Sequence, residues 1–307
     1  MRNFYRLMLG RKSVHAEACF AGGFVGTDFG IHQDLTGRLP DEWRAFNKEF
    51  IPVYLESRPD KNKISAGLSC GAIWTVSKGM AQGDIVLCPD GTGQYRIGEI
   101  SGSYTYEHGE ILPHRRPVKW LDRTISRADM SEELRKSCSS IGTVSSISKH
   151  AGEVEHLLLG VVTPQIVPAD QICDPAAFAL EKHLEDFLVQ NWKGTELSRN
   201  FDIYEEDGER IGQQFPTDTG SIDILAISKD RKTLLVVELK KGRVSDVVVG
   251  QLLRYMGFVQ EELAETDQAV RGVVIALEDD QRLRRALAMV PAIEFYRYEV
   301  SFKLVKG

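Results

Sequence analysis

Apolar positions follow two different patterns in the two halves of the chain. In the first half they form short runs bounded by glycine, proline and acidic turn residues, a pattern that predicts strands. The runs are Asn3 to Leu9, Gly83 to Gly91 with its Pro89-Asp90-Gly91 turn, Tyr95 to Tyr106 as the return strand, and Ile111 to Leu121. Several short strands at this spacing predict a small barrel. Between them, Pro40-Asp41-Glu42 supplies the acidic first turn of a helix. Ile64 to Met80 is apolar and small with Trp74 inside it, and a helix is expected around Met130 to Lys136 before a serine-rich stretch, Ser137 to Ser148. The glycines between Gly22 and Gly30 do not form GxGxxG before a helix, which excludes a dinucleotide-binding loop.

In the second half helical periods alternate with buried-strand runs. Asp174 and Pro175 read as N-cap and first turn of a helix in which Leu180, Leu184, Phe187, Leu188 and Trp192 share a face, with Glu181 inside its arc. Two apolar strands then flank a turn at Asp230-Arg231. A helix from Ser245 to Leu263 places Val248, Leu252, Tyr255 and Met256 on one face with Gln251. A strand from Val270 to Leu277, a charged helix from Asp279 to Met289 and strands between Ala292 and Val305 follow. Strands and helices mixed in this way predict an α/β or α+β sandwich around a central mixed sheet. Two prolines in Val161 to Pro168 indicate an extended linker. The expected organisation is a first domain over 1–155, a linker over 156–173 and a second domain over 174–307.

A length of 307 residues fits two domains, and 42% hydrophobic with 27% charged residues is ordinary globular composition. No apolar run is long enough for a membrane span and the N-terminus has no signal-peptide pattern, so a cytoplasmic location is expected. The five cysteines, Cys19, Cys70, Cys88, Cys138 and Cys173, are never spaced as CxxC, and the seven histidines show no HxxxH or HxH. Reduced, buried thiols and no structural metal are expected. Net charge is −6, which argues against indiscriminate nucleic-acid binding. Residues 1–150 carry 20 basic against 17 acidic side chains, and residues 151–307 carry 18 against 27. The first half is therefore the better placed to grip phosphates.

The chemistry lies in Val236-Val237-Glu238-Leu239-Lys240, read with Asp223 on the preceding strand. A turn centred on Asp230-Arg231 puts Asp223 opposite Glu238, with Cβ atoms roughly 4.5–5.5 Å apart on one face of the sheet. Lys240, two residues on, shares that face. Two converging carboxylates repel each other unless a divalent cation lies between them. The competing reading is a Glu238–Lys240 ion pair at a frayed strand end, since buried charge is normally paired.

Two resemblances sharpen this reading. Gly83-Asp84-Ile85-Val86-Leu87, Ile97-Gly98-Glu99-Ile100 and His114-Arg115-Arg116-Pro117-Val118-Lys119-Trp120 resemble the PUA-like/EVE-like barrels attached to restriction endonucleases, over most of residues 1–150. Those barrels hold a flipped, often modified, base in an aromatic pocket, which makes Phe24, Asp28, Trp74 and Tyr104 candidates here. Ordinary core packing for the aromatics and a turn-stabilising role for Asp28 compete with that assignment. His114, Arg115, Arg116 and Lys119 are candidates for DNA-backbone contacts, although alternation also allows His114 and Arg116 to face inward.

Leu180 to Leu188, Gly220-Ser221-Ile222-Asp223, Val237-Glu238-Leu239-Lys240 and Gly250 to Tyr255, in that order, resemble the PD-(D/E)xK nuclease superfamily, most closely the C-terminal domain of NucS-type endonucleases. The resemblance implies Asp223 and Glu238 as Mg²⁺ ligands, with Mn²⁺ as a substitute. It implies Lys240 as the group that orients or deprotonates water, Glu181 as a further acid, and Gln251 and Tyr255 as residues positioning DNA or Lys240. Gly220 lies where the superfamily label shows proline.

The expected function is a Mg²⁺-dependent DNA endonuclease of the modification-dependent restriction type, acting on modified duplex as a homodimer. Two alternatives stand beside it: a nuclease for mismatched or branched DNA, and a non-catalytic nucleic-acid reader. RNA also remains open as a substrate.

Overall fold

A computed structural model describes residues 2–139, 142–159, 184–206 and 208–299. Within the described residues the chain forms two compact units, divided between Ile166 and Val167. Asp174, Pro175, Glu181, Cys173, most of the expected linker and the last expected strand beyond Glu299 lie outside the described residues.

The first unit contains β1 (Phe4–Leu7), α1 (Ala16–Gly22), β2 (Phe24–Thr27), α2 (Trp43–Ser57), α3 (Lys63–Trp74), β3 (Ile85–Pro89), β4 (Gln94–Ile100), β5 (Thr105–Tyr106), β6 (His114–Ser126), α4 (Glu132–Cys138), β7 (Val144–Ser146) and α5 (Ala151–Leu158). The strand order is β2-β6-β4-β3-β1-β7, with β5 beside β6. Asp90 makes the β3–β4 turn by accepting from the Thr92 and Gln94 amides. The Gly83-Asp84 pair has a packing reason. Gly83 is left-handed at φ +91°, and the buried Asp84 carboxylate accepts from the Asn3 and Ala81 amides, tying the start of β1 to the start of β3.

Alternation sorts the sheet onto two cores. Leu7, Val25, Val86 and Val118 face one, while Phe4, Ile85, Leu87, Tyr95 and Ile97 face the other together with Leu134 and Val154. Helices α2 and α3 pack on each other through Phe46, Phe50, Tyr54, Cys70 and Ile73. The four described cysteines, Cys19, Cys70, Cys88 and Cys138, are free and buried.

The expected β-rich first unit with helices is present, its strands in the order β2 to β7 with no pairing between these two ends among the described residues. The expected acidic first turn is absent from α2. The helix starts later, at Trp43, with Glu42 as its cap residue. Helix α5 runs to Leu158, into the stretch expected to be linker.

The second unit contains a helical segment α6 over 184–190, then β8 (Phe201–Ile203), β9 (Gln213–Thr217), β10 (Gly220–Ser228), β11 (Thr233–Leu239), α7 (Val247–Phe258), β12 (Ala269–Ala276), α8 (Gln281–Ala288) and β13 (Ile293–Arg297). One mixed sheet runs β13-β12-β11-β10-β8, with β9 also paired to β10. Strands β11, β12 and β13 are parallel, joined by α7 and α8 as crossovers, so the expected central mixed sheet with helices is present.

One face of the sheet buries Ile224, Ala226, Leu235, Val237 and Val273 against Val189 and Trp192. The other face receives α7. Gly272 allows the close approach, because a Cβ there would lie 2.7 Å from Met256 Sδ and 2.9 Å from Leu252 Cδ2. Phe187, expected on the buried face of its helix, is 61% exposed.

Candidate active site

The β10–β11 hairpin turns at Asp230-Arg231. Asp230 accepts from the Lys232 amide, and Arg231 takes the left-handed conformation at φ +62°. This turn sets the register Ile224 opposite Val237 and Leu225 opposite Val236. One step further on, the same register brings Asp223 and Glu238 together, on the face where α7 packs. The Asp223 carboxylate reaches across the strands to accept from the Leu239 amide at 2.7 Å. Lys240 continues the pairing with β12 by donating its amide to Ile275 O at 2.9 Å.

Charge at this position is only partly compensated. Lys240 Nζ donates to Glu238 Oε1 at 2.6 Å, so the expected alternative of an ion pair is present as a contact. It satisfies one oxygen of Glu238. The other, Oε2, is buried and has no hydrogen-bond partner among the described residues. Burial, and then the charge of Glu238, push the Asp223 carboxyl up to about 6. Burial also raises Glu238, against the opposing effect of Lys240. An orphaned carboxylate oxygen beside a second carboxylate held above its ordinary range is a donor set that suits a hard divalent cation.

A third acid, Glu185, and two amides, Gln213 and Gln214, none of them among the expected site residues, join Asp223. Gln213 Nε2 donates to Glu185 Oε1 at 2.8 Å and to Asp186 Oδ1 at 3.0 Å. Gln214 Nε2 donates to Glu185 Oε2 at 2.5 Å and to Asp223 Oδ1 at 3.2 Å. Burial raises the Glu185 carboxyl, and the charge of Asp223 adds to the effect. Glu181, the acid expected here, lies outside the described residues. A signal for Glu185 was available in the sequence alone: it follows Glu181 by four residues, the spacing at which helical side chains share a face.

Gln251 and Tyr255 are one turn apart on α7, with Gln251 Nε2 3.5 Å from the Tyr255 hydroxyl. That hydroxyl occupies the space over Gly220, where a Cβ would be only 2.7 Å away. This explains a glycine at the position where the superfamily label carries proline. Among the described residues neither side chain hydrogen-bonds Lys240 or the carboxylates.

In the first unit the expected pocket aromatics lie against two different cores. Phe24 packs against one core, with the Arg115 guanidinium 4.0 Å from its ring centre. Trp74 and Tyr104 lie against a different core, and Trp74 Nε1 donates to Pro40 O at 2.9 Å. Asp28 is exposed and accepts from the Gly30 amide, as a turn residue does.

Two of the basic residues turn inward, which corrects their expected role on a DNA backbone. His114 is fully buried, with one ring nitrogen 2.7 Å from Ile31 O and the other 2.9 Å from the Tyr104 hydroxyl. Arg116 is 5% exposed and donates to Gly102 O and Met80 O. Alternation along β6 leaves Arg115 half-buried, and Lys119 is exposed.

Comparison with known proteins divides the chain at the same place. Residues 5–148 match the family model of a domain of unknown function (DUF8426), and residues 189–301 match that of the endonuclease NucS C-terminal domain. The second unit thus carries a NucS-type C-terminal domain. Endonuclease NucS of Methanocaldococcus jannaschii is 32% identical over 98 residues, which is 30% of this chain and 36% of that protein. The chain therefore aligns with little more than a third of that relative. A repair endonuclease from Pyrococcus abyssi shares 16% identity, with 69% of this chain and 66% of that one covered and a TM-score of 0.31. EndoMS in an EndoMS–dsDNA complex shares 16%, with 68% and 62% covered and a TM-score of 0.32.

Proposed function

We propose that the NucS-type domain of this chain is a divalent-metal-dependent DNA endonuclease, with the first unit selecting the target. The observation that carries the proposal is the buried Glu238 Oε2, without a hydrogen-bond partner among the described residues, on a carboxylate whose charge acts on Asp223, with Lys240 alongside. An ion held by Asp223 and Glu238, Mg²⁺ or Mn²⁺ in its place, would neutralise charge developing on the phosphoryl oxygens and lower the pKa of a bound water. Lys240 has the role of orienting that water and holding its proton. Its side chain is 36% exposed, so it is reachable from solvent while anchored to Glu238. Cleavage of both strands by one site per chain requires two chains acting together, and we include a homodimer in the proposal.

The restriction-type resemblance of the first unit supports modified duplex as the target. The match of the second unit to NucS supports a second reading, mismatched or branched DNA. A cleavage panel of plain, cytosine-modified, adenine-modified, mismatched and branched duplexes, each with Mg²⁺ and with Mn²⁺, separates these readings. Cutting confined to modified duplex is the expected result, and cutting confined to mismatched or branched duplex selects the second reading. Equal cutting throughout would remove the selector role. Absence of cutting together with absence of metal binding would leave a non-catalytic reader.

A further inference from the structure

Gln214 has a left-handed backbone, φ +49°, inside strand β9. Pairing flanks it on both sides, Phe215 with Ile222 and Gln213 with Ile224, so Gln214 stands across from Asp223. Glycine adopts this conformation freely and glutamine does not. A strained non-glycine residue at a cluster of carboxylates points to a role for its side chain. That side chain gives its amide nitrogen to both Glu185 Oε2 and Asp223 Oδ1. The second Asp223 oxygen is held by the Leu239 amide at 2.7 Å. Asp223 is thereby clamped between strand β9 on one side and strand β11 on the other.

Resting on the metal-site reading above, we propose that Gln214 is a positioning residue whose amide bridges Glu185 and Asp223 and fixes the Asp223 carboxylate in its ion-binding orientation. A neutral amide suits the place. It offers two N–H donors, enough for both acceptors, without adding a cation that would compete for the carboxylates. The strained backbone is what lets the side chain at this position reach both of them.

The test compares the full-length wild-type chain with Gln214→Gly and Gln214→Asn. Glycine removes the amide while suiting the left-handed backbone. Asparagine tolerates that backbone and keeps an amide on a shorter arm. In the metal-free chain, Gln214→Gly is expected to speed hydrogen exchange at the Leu239 amide about tenfold, as loss of one hydrogen bond to a charged group implies. Its Mn²⁺ affinity, read by calorimetry, is expected to fall by about tenfold. The unfolding midpoint should hold or rise, and Gln214→Asn should recover part of both losses.

Unchanged Leu239 exchange or unchanged Mn²⁺ affinity in Gln214→Gly overturns the proposal, as does a collapse of the unfolding midpoint, which would make the role structural. A wild-type chain that binds no Mn²⁺ instead overturns the metal reading under Proposed function, and the Leu239 exchange then decides alone whether Gln214 holds Asp223.

Discussion

The carboxylate of Glu238 accepts from Lys240 through one oxygen at 2.6 Å and keeps the other buried without a hydrogen-bond partner among the described residues. Under the proposed function a divalent cation would complete this arrangement. Mg²⁺ or Mn²⁺ well above its dissociation constant should stabilise the chain by about 2–3 kcal/mol and raise its unfolding midpoint by several degrees. Asp223→Ala and Glu238→Ala should each erase that shift in a thermal melt. A wild-type melt indifferent to both ions would refute the site.

The charge left on Asp223 makes a pH prediction for the metal-free chain. Its carboxyl is raised to about 6 from an ordinary 3.8. The folded state therefore holds this proton more tightly than the unfolded state, so the group's contribution to stability falls as pH rises from about 4 to about 6 and stays level above. Asp223→Asn keeps the shape without the charge. It should flatten this part of the profile, while its single acceptor oxygen serves only one of the Leu239 and Gln214 donors. Melts of both proteins from pH 4 to 7 would show it, and parallel profiles would exclude it.

Gly220 and Tyr255 make a steric prediction. Gly220 has φ +150° and the Tyr255 hydroxyl sits where its Cβ would be. Gly220→Ala should cost about 1–3 kcal/mol through overpacking and backbone strain. Adding Tyr255→Phe removes the colliding oxygen and should recover the steric share. A double-mutant cycle by denaturant unfolding measures the coupling, and strict additivity would show that the two residues do not meet.

The basic residues of β6 should separate into two classes. Lys119 is exposed, so Lys119→Ala should leave folding intact. If β6 lies on DNA, that change lowers the salt slope of binding by about one phosphate contact. Arg116→Ala and His114→Ala leave buried carbonyls without donors and should destabilise the first unit by about 1–3 kcal/mol each. Binding measured against salt, with melts of the same variants, distinguishes the classes. A folded Arg116→Ala protein with weakened DNA binding would contradict the burial of that side chain.

Local pattern determined the hairpin and the three groups at its end. A turn at Asp230-Arg231 and a side-chain period of two leave one register, and a slip of one residue would turn Glu238 to the other face. The central mixed sheet was legible for the same reason, since buried strands and amphipathic helices alternate along the second half.

Other features depended on tertiary structure. His114 and Arg116 carry polar groups that water or buried carbonyls satisfy equally well, so alternation along the strand could not say which way they point. The loop carrying Ile31 and the turn ending at Met80, with the Tyr104 hydroxyl and Gly102 O, supply the inward partners. Barrel closure was likewise undecidable from strand count, because it depends on how edge strands meet, and among the described residues β2 and β7 do not pair. The acid beside Asp223 depended on how a helix docks and on one left-handed residue, Gln214. Neither leaves a periodic trace. Sequence alone determined the carboxylate pair and its lysine, because short-range geometry dictates them, while tertiary packing decided which distant side chains hold that pair in place.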